Sequence, residues 1–116
     1  MIELAGHHKR LTIIVGESDT TGGHSLATAI VRRAHSAGLA GVTVVRGIEG
    51  YGASNHIHTT RVLSLSDDLP VVITIVDTAE AIRAFVPTVE HIVDEGLITI
   101  DDVEVVRYIG RPATLE

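Results

Sequence analysis

Side chains able to do chemistry are concentrated between residues 47 and 68. His56 and His58 are one residue apart, so on an extended backbone both rings project to the same side and could share a metal ion or an anionic group. A catalytic zinc needs three protein ligands, and the nearest carboxylates, Glu49 and Asp67, stand at no recognised spacing. Simple polar packing at a subunit seam is therefore the better reading of the pair. Arg46 and Arg61 flank the segment and would suit a phosphate or carboxylate, or simple surface ion pairs. The opening stretch, Arg46-Gly47-Ile48-Glu49-Gly50-Tyr51-Gly52, carries three glycines. Glycine there either admits a ligand or neighbouring chain to close approach or serves the geometry of a bulged strand end.

A second segment, Gly16-Glu17-Ser18-Asp19-Thr20-Thr21-Gly22-Gly23, leads into a helix whose first N–H groups could hold an anion. It lacks the Gly-Lys-Ser/Thr ending of a phosphate-binding P-loop, and Glu17 and Asp19 oppose phosphate, so a capped turn fits better. The absence of cysteine removes thiol nucleophiles, disulfides and Cys-based metal sites. His24 and Ser25 form no local nucleophile-and-base signature, and Asp67-Asp68 and Asp101-Asp102 read as turn residues or caps. The residues point away from an enzyme. Were the protein one, with its site at an interface, Glu17, Glu49 and His58 would be the candidate acids or bases.

These residues need a scaffold, and 116 residues suffice for one domain with one modest core. The net charge of −6, no Trp and a single Phe supply neither the basic footprint nor the stacking platform of a nucleic-acid binder. No apolar run reaches the length needed to span a bilayer, and the N-terminus is not that of a signal peptide, so a cytoplasmic location is expected. An apolar content of 45% in so small and acidic a chain implies that some hydrophobic surface is covered by another subunit.

The elements follow from periodicity. Alternation predicts a strand over Lys9 to Val15, with Leu11, Ile13 and Val15 on one face and Thr12 and Ile14 on the other. Helical spacing from Ser25 to Ala37 ends at Gly38, and a second strand covers Val42 to Ile48. A third strand runs from Pro70 to Val76, followed by a helix capped by Thr78 that ends before Gly96, with Pro87 expected to kink or split it. A last strand spans Val103 to Ile109, with residues 47–68 left as a long loop in a core of about 9–109. The order β-α-β, loop, β-α-β predicts an α+β, ferredoxin-like domain, with an antiparallel four-stranded sheet and two helices on one face. Such a sheet has a bare face, yet Val71 to Val76 is apolar on both sides, which predicts a cyclic homo-oligomer, trimer or dimer.

Gly16-Glu17 with Asp19, Gly38-Leu39-Ala40-Gly41-Val42-Thr43-Val44, Arg46-Gly47-Ile48 with Gly50-Tyr51-Gly52, His56-Ile57-His58, Leu69-Pro70 and Asp77 together resemble the bacterial domain of unknown function 190 family. The resemblance runs from about Leu11 to Tyr108 and rests most on the Arg-Gly-Ile-x-Gly-aromatic-Gly block. That family is similar in fold to the PII signalling proteins. The likeness implies a trimeric ring with its sheets inward and small effectors, nucleotides among them, bound between subunits. It also implies a partner engaged by the loop after the second strand, such as a membrane channel or transporter. By position, Glu17, Arg46, Gly47, Glu49, Gly50 and Gly52 would form the effector site, with His56, His58 and Arg61 on the loop. The Gly- and Arg-rich phosphate loop of PII proteins has no counterpart in Asp94-Glu95-Gly96-Leu97-Ile98-Thr99.

Overall fold

The computed structural model describes residues 3–52, 57–59 and 68–110. Strand β1 (Glu3–Gly16) is followed by a two-residue hairpin, β2 (Thr20–Thr21) and β3 (His24–Ser25), and by helix α1 (Leu26–Ser36). Strand β4 (Thr43–Arg46) precedes a second miniature ladder of β5 (Glu49–Gly50) and β6 (His58–Thr59). Strand β7 (Pro70–Asp77), helix α2 (Ala79–Ile92) and strand β8 (Leu97–Ile109) complete the chain. The main sheet has the order β4-β7-β1-β8 with every pairing antiparallel. Counting only those four strands in chain order, this is the 2-3-1-4 arrangement of a ferredoxin-like α+β fold.

Alternation decides which side of the sheet is buried. Leu11, Ile13 and Val15 of β1 and Val71, Ile73 and Ile75 of β7 point at the helices. They meet Leu26, Ile30 and Ala34 of α1 and Ile82, Phe85, Val89 and Ile92 of α2 in one core. The opposite face has no helix. There the register aligns Val45, Val72, Ile14 and Leu97 in one row across all four strands, and Thr43, Thr74, Thr12 and Thr99 in the next. Val45 and Leu97, at the two ends of the apolar row, are 53% and 54% exposed.

Both helix starts follow the capping chemistry expected of them. The Ser25 hydroxyl accepts from the Thr28 N–H, and the Thr78 hydroxyl accepts from the Ala81 N–H at 3.1 Å. Helix α1 ends in a Schellman motif, with Gly38 at φ +77°, its N–H on the His35 carbonyl and the Leu39 N–H on that of Ala34. Of the kink or split expected at Pro87, the split does not occur: α2 runs unbroken through it. The proline lies on the exposed face with Arg83, so the carbonyl it leaves unpaired opens to water.

Two strands are longer than their alternation indicates. Strand β8 begins at Leu97, and Asp101 and Asp102, read from sequence as turn residues or caps, lie within it. They stand directly opposite Arg10 and Lys9 and form ion pairs with them, which makes a charged pair of positions tolerable in mid-strand. Strand β1 starts at Glu3, and its register against β8 shifts between Leu4 and Gly6, where β8 carries one extra residue and Gly6 has φ +89°; residues 3–8 and 103–109 form a ribbon beyond the end of β7. The ribbon reaches back to the α1–β4 connection, where the Tyr108 hydroxyl donates to the Ala40 carbonyl at 2.7 Å.

Candidate functional site

Four chain segments meet where β1 ends and β7 begins. The carboxylate of Asp19 accepts from the Gly16 N–H at 2.9 Å, while the Asp19 N–H returns to the Gly16 carbonyl at 3.1 Å, closing a tight turn. Asp68 reaches in from the other side and accepts from the Ser18 N–H at 2.6 Å, and the Glu17 N–H donates to the Leu69 carbonyl. The turn after β1 is thereby stitched to the chain entering β7. The hairpin beyond it turns at Gly22 and Gly23, with φ +56° and +81°, which only glycine adopts without strain.

The segment after β4 packs on the same place. The Gly47 N–H donates to the Pro70 carbonyl at 2.7 Å, and a side chain on Gly47 would meet the Pro70 ring at 2.8 Å. Gly50 is nearly as tight, at 3.2 Å from the same ring, whereas Gly52 has open space around it. Two of the three glycines therefore serve close packing on Pro70, and the third leaves room. Gly96, at φ +154°, closes the far side, since a Cβ there would lie 2.6 Å from the Ile14 carbonyl oxygen.

Between these segments opens a cleft of about 100 Å³, lined by Gly16, Asp19, Gly50, Tyr51, Asp68 and Glu95 among others. Its walls combine the apolar groups of Ile14, Val15, Tyr51 and Pro70 with glycine backbone and the carboxylates of Asp19, Asp68 and Glu95. Beside it, Arg46 donates from Nη1 to Oε1 of Glu17 at 2.9 Å, so the guanidinium at the end of β4 is already charge-compensated. The site as it stands favours neutral or cation-accompanied groups over a bare anion.

The structure brings Glu17, Arg46, Gly47, Gly50 and Gly52 together around one corner of the fold. Glu49 and Gly50 form β5, in register with Thr59 and His58 of β6. His56 and Arg61 lie outside the described residues. Among the described residues no group of three or more His, Cys, Asp or Glu side chains could hold a metal ion. Sequence reasoning missed Asp68, Glu95 and Gly96 as parts of this corner. Gly96 carried a signal, but one that served equally as a helix terminator.

A sheet of order 2-3-1-4 with both helices on one side defines a ferredoxin-like domain. Solved structures bear this out: the chain is similar to the nitrogen regulatory PII-like protein CPII from Thiomonas intermedia K12 bound to ADP, AMP and bicarbonate. That likeness has 23% identity and a TM-score of 0.55 over 85% of this chain and 88% of that one. The same protein bound to ADP, AMP and acetate matches at 22% identity and a TM-score of 0.53 over 97% of this chain and 95% of that one. The chain belongs to the domain of unknown function 190 family, described as "Uncharacterized ACR", whose model matches residues 8–105. Relatives include a UPF0166 protein of Aquifex aeolicus, 37% identical over 84% of this chain and 92% of the relative. Another, from Methanocaldococcus jannaschii, is 33% identical over 85% and 92%. No helix among the described residues is long and apolar enough to cross a membrane.

Proposed function

We propose that the protein is a PII-like homo-oligomeric regulator that binds a small effector at clefts between subunits and thereby switches a partner through residues 47–68. The carrying observation is the position of the glycine-rich cleft, at the point where the chain leaves the sheet after β4 and returns at β7. An effector there would touch both ends of the 47–68 segment at once and bias its conformation. One subunit offers about 100 Å³, against the several hundred typical of a small-molecule site, so a second subunit would complete it. The apolar Val45–Val72–Ile14–Leu97 row, exposed at both ends, supports such an assembly.

ADP, AMP and bicarbonate, bound by the similar protein CPII, are the first effectors to test. The carboxylates around the cleft and the Glu17 partner of Arg46 favour an effector that brings a cation or presents a neutral group. A regulatory rather than catalytic role agrees with Asp19 and Asp68 being spent on backbone N–H groups and Glu17 on Arg46. The partner would be a membrane channel or transporter. The test is a thermal-shift titration with adenine nucleotides, bicarbonate and cyclic nucleotides, each with and without Mg²⁺. A specific effector at a hundredfold excess over its Kd adds about 2.7 kcal/mol by mass action and raises Tm accordingly. A flat response to every member of the panel contradicts the reading.

A further inference from the structure

Helix α1 has a charge pattern unlike the rest of the molecule. In a chain of net charge −6, Leu26–Ser36 contains no acidic residue but holds Arg32, Arg33 and His35, with His24 just ahead of it. Among the described residues neither the Arg32 nor the Arg33 side chain forms a hydrogen bond or ion pair, whereas Lys9, Arg10 and Arg46 each have a carboxylate.

Beside these arginines lies an open hollow of about 620 Å³, between α1 and the connection to β4. Val31, Ala34, Leu39 and Val42 give it an apolar wall, and Arg32 and His35 stand at its rim. Arg32 also lines a smaller hollow on the other side, with His24, Thr28 and Arg33. The groove is held in shape: the Ala40 N–H donates to buried Asp77 at 2.8 Å, its carbonyl accepts from Tyr108, and the Schellman motif fixes Gly38 and Leu39. A preformed groove loses little entropy on binding.

We propose that this groove docks a short acidic, leucine-bearing peptide segment of a partner protein, its apolar side chains between α1 and Val42 and its carboxylates on Arg32 and Arg33. Charge complementarity selects that occupant, because the uncompensated Arg32 at the rim of an apolar wall, with Arg33 on the adjoining hollow that Arg32 also lines, matches acidic and apolar residues interleaved in one strand. The surface is separate from the effector cleft. Gly16 and Pro70 mark the cleft end of the sheet, and Asp77, at the opposite end of the eight-residue β7, marks the groove end. The inference therefore stands whether or not an effector binds.

The test is an NMR titration of the full chain with a twelve-residue peptide, Asp-Glu-Leu-Leu repeated three times, and with its Lys-Lys-Leu-Leu counterpart. The acidic peptide is expected to give saturable amide shifts confined to residues 28–42, and the basic peptide none. Arg32→Glu/Arg33→Glu, folded by circular dichroism, should weaken the acidic peptide about tenfold or more and acquire binding of the basic one. Shifts that map elsewhere, binding indifferent to the charge reversal, or no binding at millimolar peptide would each overturn the proposal. It is equally overturned if inorganic phosphate alone reproduces the shifts, or if Arg32→Glu/Arg33→Glu changes only the oligomeric state.

Discussion

Arg10 and Asp101 close a two-point ion pair across the β1–β8 ladder, Nε to Oδ1 at 3.0 Å and Nη2 to Oδ2 at 2.6 Å. The pair sits on the helix-free face of the sheet, next to the row of four threonines. The Arg10 hydrogen bonds hold the Asp101 carboxyl below its ordinary value, and the same bonds raise Arg10.

A depressed carboxyl stabilises the fold above the unfolded-state value, and that contribution is lost as pH falls through the folded one. Asp101→Asn should therefore lower Tm at neutral pH. The gap from the parent should hold down to the ordinary carboxylate range and close below it. Melting curves from pH 7 to 3 decide this, and a gap independent of pH would mean the ion pair is not its source. Salt should narrow the gap at neutral pH, since both side chains are about half exposed.

The corner glycines separate packing from function. Gly96→Ala places a Cβ 2.6 Å from the Ile14 carbonyl at φ +154°, and we expect a loss of about 1–3 kcal/mol by denaturant unfolding. Gly52→Ala meets nothing within 4 Å and should leave stability within about 0.5 kcal/mol. Because Gly52 lines the cleft, the same substitution should weaken the response to whichever effector raises Tm.

Ala40 is held from both sides, by Asp77 and by Tyr108. Tyr108→Phe removes one hydrogen bond from a side chain partly open to water and should cost about 0.5–1.5 kcal/mol. Asp77→Ala should cost more, because it leaves the Ala40 and Thr78 N–H groups without their acceptor. Urea unfolding of both variants tests that order, and equal losses would contradict the asymmetry.

The core makes a simpler demand. Ile73 and Ile82 are fully buried on opposite sides of the sheet–helix interface, and either one changed to Ala should cost about 2–5 kcal/mol. A loss below about 1 kcal/mol at both would mean that helix α2 is not packed on β7 as described.

The fold was legible because its signals were local. Alternation in β1 and β7, the Thr78 cap and the Gly38 stop each act within a few residues, and each recurs in the structure. Asp101 and Asp102 were misread because adjacent acids look like a turn until their partners are known, and Arg10 and Lys9 lie more than ninety residues earlier. The same limit applies to the site. Gly47 is needed because Pro70 lies against it, and Asp68 matters because it caps Ser18, neither of which spacing along the chain can express. The ion pair between Arg46 and Glu17 likewise joins two residues that sequence placed in one site without pairing them.

The whole account depends on the face that carries Val45, Val72, Ile14 and Leu97 being covered by identical subunits. Sedimentation equilibrium at micromolar concentration tests this directly. The expected result is an assembly of about three 12.3 kDa chains that Leu97→Asp dissociates. A stable 12.3 kDa monomer in the unmodified protein would contradict it and, with it, the shared effector cleft.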